Sequence, residues 1–149
     1  MIYTLDTKHN PQMIRTLVDI WLEGNLDAHS FISQHYFRDH IPYVQQAFDS
    51  ATIYIINDDN DGTIAGFAGL VDTYIAGFFI KKSMQHKGFG SSLIEHLVHR
   101  YQDLSLDVYK KNQRAINFYL HHGFCIERMS VDMATAYVQY TMRQCQTNK

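Results

Sequence analysis

The sequence predicts an α/β fold, a mixed sheet flanked by helices. Three observations carry this reading. Apolar residues recur at three- and four-residue spacing up to Phe48, the period then changes to β-branched and aromatic runs, and helical and strand patterns alternate from there to residue 142.

Residues 1–5 alternate weakly and read as a first strand. From Pro11 onward Met13, Ile14, Leu17, Val18, Trp21 and Leu22 mark one apolar face of a helix with proline near its first turn. Residues 24–29, Gly-Asn-Leu-Asp-Ala-His, read as a loop, and a second helical region over about 31–48 is interrupted at Pro42. Residues 52–56 and 63–71 are strand-like and flank the turn signal Asp58-Asp59-Asn60-Asp61-Gly62, which makes them a hairpin. A strand over 74–80 leads through a polar loop into a helix over about 88–101 carrying Leu93, Ile94, Leu97 and Val98. A strand over 104–108, a helix over 114–122 and strands over 124–129 and 137–142 complete the order.

A chain of 149 residues has the size of one domain and can bury roughly 68–70% of its unfolded surface. No repeat, linker or composition break divides it, so residues 1–149 are expected to form a single domain. The formal charge of −2 leaves no basic surplus for a phosphate-backbone partner, which argues against nucleic acid. No run of about 18 apolar residues is present and the first residues lack a charged segment followed by an apolar one, so a cytoplasmic, membrane-free protein is expected. Cys125 and Cys145 have no Cys-x-x-Cys spacing and are expected as reduced thiols. His-x-x-His at His96 and His99, and the His121-His122 pair, lack a further ligand at zinc spacing, so no metal is expected.

The stretch Gln85-His86-Lys87-Gly88-Phe89-Gly90-Ser91-Ser92 joins an apolar strand to an amphipathic helix. Its glycines clear side chains from a helix N-terminus, where unpaired N–H groups and the positive end of the helix dipole face an anion such as a pyrophosphate. A tight strand-to-helix turn without a ligand would use the same glycines. Leu93 breaks the Gly-x-Gly-x-x-Gly fingerprint, and no Gly-Lys-Ser/Thr follows at P-loop spacing.

With its second motif, Asn112-Gln113-Arg114-Ala115-Ile116-Asn117-Phe118-Tyr119-Leu120-His121-His122-Gly123-Phe124, the chain resembles the GCN5-related N-acetyltransferase (GNAT) superfamily. Gln85, Gly88 and Gly90 match the family's Gln/Arg-x-x-Gly-x-Gly/Ala, and Phe78-Phe79-Ile80 matches its preceding strand end. Around residues 25–32 it is similar to small bacterial protein-lysine acetyltransferases. The resemblance implies a mostly antiparallel sheet of about seven strands with a splayed parallel pair and about four helices. It also implies acetyl-CoA as co-substrate and an amine, on a protein or a small molecule, as acceptor. Phe78, Phe79 and Ile80 would pair with the pantetheine arm, with the Phe78 N–H near the thioester carbonyl. The amides of His86, Lys87, Gly88, Phe89, Gly90 and Ser91, with Gln85, would hold the pyrophosphate, and Asn112 the pantetheine region. Tyr119 would protonate the departing thiolate, a role that suits a phenol beside sulfur. Phe118 and Tyr119 would otherwise simply fill the core.

The general base stays open among Asp72, His29, His35, Glu23 or water alone, and His29, Phe31, Tyr36 and Tyr74 are candidate acceptor-pocket residues. Monomer and homodimer are equally compatible with the sequence. A non-catalytic acetyl-CoA-binding module is the competing reading, and a nucleotide-binding protein using the glycine loop is disfavoured by the missing P-loop lysine.

Overall fold

The computed structural model describes residues 1–146. In chain order the elements are β1 (Ile2–Thr4), α1 (Pro11–Ala28), α2 (Gln34–Phe48), β2 (Thr52–Asn57), β3 (Ile64–Val71), β4 (Tyr74–Ile80), α3 (Phe89–Arg100), β5 (Ser105–Tyr109), α4 (Gln113–His121), β6 (Phe124–Val131) and β7 (Val138–Gln144). Among the described residues the seven strands form one sheet in the order β1-β2-β3-β4-β5-β7-β6. Every neighbouring pair is antiparallel except β4 and β5, which run parallel and meet at one register position, Tyr74 opposite Ser105.

The near-continuous apolar run of β2 follows from burial on both faces. Tyr54 and Ile56 face Leu93, Ile94 and Leu97 of α3 and Ile116 of α4, whereas Ile53 and Ile55 pack with Leu17, Val18 and Ile20 of α1 and Phe48 of α2. The sheet is therefore the middle of three layers, and its apolar residues hold the helix pairs on opposite sides.

Three expectations are corrected. Residues 24–28 are not a loop but the last turns of α1. A Cβ on Gly24 would come within 2.6 Å of Phe79 Cδ1, so this glycine permits close approach of α1 to β4 and makes no turn. Beside it, buried Asn25 donates from Nδ2 to the Trp21 carbonyl at 2.9 Å, which satisfies it inside the helix. Helix α2 runs unbroken through Pro42: Ser33 caps its start, and both Pro42 and Arg38, whose carbonyl loses its usual donor, lie on the exposed side. Cys125 and Cys145 are not free thiols but form a disulfide with Cα atoms 5.2 Å apart. The β6–β7 pairing causes this, since Cys145 N–H donates to Gly123 C=O at 2.9 Å and brings the two side chains together. Among the described residues no helix is long and apolar enough to cross a membrane.

Candidate active site

Beyond Tyr74 and Ser105 the strands β4 and β5 part, and a cavity of about 670 Å³ opens between them. The join is reinforced by side chains: Tyr74 donates to Asp107 Oδ2 at 2.9 Å, and Thr141 on β7 donates to Asp107 Oδ1 at 2.5 Å. Register fixes which backbone groups face the gap. Lys81 N–H donates to Ala65 C=O, so the 65–81, 67–79 and 69–77 pairs are the hydrogen-bonded ones of the β3–β4 ladder. Phe78 and Ile80, which alternate with them, turn their N–H and C=O groups away from β3 and toward the cavity. The Ile80 carbonyl accepts from Gln85 Nε2 at 3.1 Å, which braces the loop after β4.

That loop enters α3 through two left-handed residues, His86 at φ 63° and Gly88 at φ 89°. Gly88 is the N-cap of α3 and gives no side-chain cap, so the first N–H groups of the helix stay available. A Cβ at Gly88 would meet nothing within 4 Å, leaving open space in front of those donors. Arg114 at the start of α4 donates to His86 Nε2 at 3.2 Å, which adds a cation beside a helix N-terminus. Ser91 Oγ lies 3.2 Å from His122 Nε2, where burial lowers the imidazole pKa.

Asn112 caps α4: its Oδ1 accepts from Ala115 N–H at 3.3 Å, leaving Nδ2 as a donor toward His29 Nε2 at 3.2 Å. His29 must then accept at Nε2 and carry its proton on Nδ1, which lies 2.8 Å from Asn25 Oδ1. Every member of this chain from Trp21 to Asn112 has a consistent direction. Burial pushes His29 down to about 4, so it stays neutral with both ring nitrogens engaged. It therefore orients Asn112 and has no lone pair to spare for an acceptor.

His40 differs. Its Nδ1 lies 2.7 Å from the Tyr36 carbonyl, which can only accept, so Nδ1 carries the proton and Nε2 holds the lone pair in the neutral ring. No described residue bonds that Nε2, and His40 lines the cavity. Tyr119, two turns along α4 from Asn112, also lines it, with its ring 6.1 Å from that of Phe78. Its side chain is buried among Phe78, Phe118 and Phe124, and burial pushes the phenol pKa up from its ordinary 10. No described residue hydrogen-bonds its hydroxyl.

Of the residues expected from sequence, the cavity gathers Phe78, Phe79 and Ile80 from β4, Gln85, His86, Gly88, Gly90 and Ser91 from the loop, and Asn112 and Tyr119 from the second motif. Lys87 is exposed outside it, and Phe89 packs against the α3 side of the core. Of the four base candidates only His29 lines the cavity; Asp72 is in the β3–β4 turn, and Glu23 and His35 are exposed on helices. Tyr36 lines it, whereas Phe31 and Tyr74 do not, Phe31 packing edge-on against Tyr109 and Tyr74 donating to Asp107. Sequence reading missed His40, Asp107 and Arg114. Each had a faint signal: His40 is one turn from Tyr36, Asp107 interrupts an apolar strand, and Arg114 follows the Asn112 cap. Among the described residues no three His, Cys, Asp or Glu side chains gather as a metal would need.

Comparison with known proteins gives this cavity its context. Peptidyl-lysine N-acetyltransferase YiaC of Escherichia coli (strain K12) is 35% identical over 116 residues, covering 74% of this chain and 75% of its own. The solution structure of apo-form YjaB from Escherichia coli matches with a TM-score of 0.83 over 99% of this chain and 98% of that one, at 23% identity. A GNAT family acetyltransferase from Elizabethkingia anophelis, solved with acetyl-CoA bound, matches with a TM-score of 0.61 over 69% of this chain and 81% of its own, at 13% identity. The family model described as "Acetyltransferase (GNAT) family" matches residues 14–124, a span that contains the glycine loop, the open edge of β4 and the helix of Tyr119. With both cavity-lining motifs inside that match, the chain belongs to the acetyltransferase (GNAT) family and is an acetyl-CoA-dependent acetyltransferase.

Proposed function

We propose that the chain, acting over residues 1–149 as one N-acetyltransferase domain in the cytoplasm, acetylates the side-chain amine of lysine in a peptide or protein by direct attack. The observation that carries this reading is the open edge of β4, where Phe78 presents N–H and C=O to the cavity on the side of the free Tyr119 hydroxyl. The curated relative YiaC, named for peptidyl-lysine, supports the choice of acceptor.

The residues fit the co-substrate. Phe78 and Ile80 offer strand-like backbone groups to the amides of a pantetheine arm, the uncapped N–H groups opening α3 together with Arg114 suit a pyrophosphate, and Asn112 keeps a second N–H for the arm. When bound, acetyl-CoA supplies a thioester acyl group. This chain's residues then position and move protons. His40 takes the proton of the acceptor ammonium at Nε2, and Tyr119 holds the proton given up as the general acid at its Oη. Trp21, Tyr36 and Phe37 line the same cavity and can pack an aliphatic lysine stem, while Asp107 favours its cationic head.

The test is thiol release from acetyl-CoA with a lysine peptide, with small amines in parallel, followed by mass mapping of the acetyl group. Acetylated peptide lysine is expected. Turnover on small amines alone, or none on either, would remove the peptide acceptor. His40→Gln should slow lysine acetylation more than acetylation of an α-amine, whose pKa of about 7.7–8.0 against about 10.4 for lysine makes it less dependent on a base. Equal losses on both acceptors would take the base role from His40.

A further inference from the structure

Strand β6 closes the sheet on one side, and among the described residues nothing pairs with its outer edge. Its exposed residues include Ile126 at 45%, Met129 at 63% and Val131 at 51%, beside Leu120 of α4 at 46%. An edge of this kind invites a further strand.

Its hydrogen-bonding phase is set by a bulge. On one side of the bulge Cys145 N–H donates to Gly123 C=O, so Cys125 and Arg143 form a hydrogen-bonded pair and Phe124 and Ile126 point their backbone groups outward. On the other side Asp132 N–H donates to Tyr137 C=O, so Arg128 and Ser130 bond inward, and Met129 and Val131 point outward. The register shift between Ile126 and Arg128 inserts Glu127 as the extra residue. Outward N–H and C=O groups therefore fall on Phe124, Ile126, Met129 and Val131, opposite the evenly spaced Gln144, Met142, Tyr140 and Val138 of β7.

This set is its own antiparallel complement. A two-fold axis between Glu127 and Arg128 sets Ile126 opposite Met129 of a second copy and Phe124 opposite Val131, so each outward donor and acceptor meets its counterpart. Side chains agree with backbone. Ile126 and Met129 share a face with Met142 and Tyr140, both packed with the α3–α4 core, which brings Ile126 and Met129 of both copies together on one face. On the other face Glu127, which accepts from Arg143 Nε, comes opposite Arg128 of the second copy. A bulge ordinarily discourages edge pairing; here it is what lets donors, apolar side chains and opposite charges coincide under one symmetry operation.

We propose that β6 pairs antiparallel with β6 of a second copy of this chain, giving a homodimer with one continuous sheet. Sedimentation equilibrium of the full chain, up to about 100 μM and so a hundredfold above a micromolar dissociation constant, should report twice the 17.4 kDa chain mass. Met129→Lys should return the mass of one chain while keeping the stabilisation by acetyl-CoA. Two further variants test the register. Glu127→Arg alone and Arg128→Glu alone should each be monomeric, because like charges then face one another across the axis, and an equimolar mixture of the two should recover the dimer. A wild-type chain that stays monomeric throughout overturns the proposal. So does a dimer that survives Met129→Lys, and so does a mixture that fails to reassociate.

Discussion

Tyr119 is the residue whose surroundings speak most directly to chemistry. Enclosed by Phe78, Phe118 and Phe124, its phenol is pushed above its ordinary range by burial, so it stays protonated at any pH at which the protein would be assayed. Tyr119→Phe should leave acetyl-CoA affinity intact and lower kcat by about 100-fold, the low end of what a positioned general acid contributes; steady-state kinetics with a thermal-shift control measures both. His29 carries a prediction about stability. Its folded pKa, lowered to about 4 from 6.5, means that the unfolded chain binds the proton more readily between those values. The stabilisation is therefore complete above about pH 6.5, declines as pH falls toward 4 and is flat below, a span worth about 3 kcal/mol. In urea titrations across that range, His29→Gln should flatten the pH dependence relative to wild type. The place of Tyr119 in the cavity wall was legible because its motif is contiguous in sequence. His29 stayed open among the bases, since its two partners lie four and eighty-three residues away and only folding shows both nitrogens engaged.

Among the elements, the glycine loop and α3 were readable in advance because the reason for each glycine is local. Gly24 was misread for the opposite reason, its constraint being a ring on β4 that no window of sequence contains. The loop supports a paired prediction. A Cβ on Gly90 would lie 3.4 Å from Phe118 Cε1 and 3.7 Å from Ile80 Cγ1, ordinary contact distances. Gly90→Ala should fold with little change in stability, whereas Gly90→Glu brings a carboxylate to the helix N-terminus proposed for the pyrophosphate. At an acetyl-CoA concentration of a hundred times Kd, wild type should gain about 2.7 kcal/mol, and Gly90→Glu should gain nothing. Calorimetry with each variant decides it.

For the whole molecule, the order of strands and helices and the mixed sheet followed from periodicity, and the parallel pair from the family resemblance. The disulfide did not, because Cys125 and Cys145 meet through strand pairing and not through spacing. It closes a loop spanning 20 residues, which by chain entropy is worth about 3 kcal/mol. Reduction, or Cys125→Ser with Cys145→Ser, should lower the unfolding free energy by about that amount while leaving acetyl-CoA affinity unchanged, since neither cysteine lines the cavity. Chemical denaturation with and without reductant measures it. The meeting of β4 and β5 at Tyr74 and Ser105 alone leaves the width of the gap between them to be set elsewhere. Beneath the gap the two halves of the sheet share one apolar core, in which Ala68, Leu70 and Ile75 pack with Leu104, Leu106 and Met142 across α3. The gap is thus held at its width from below by that common packing and at its mouth by a hydroxyl–carboxylate–hydroxyl brace through Asp107.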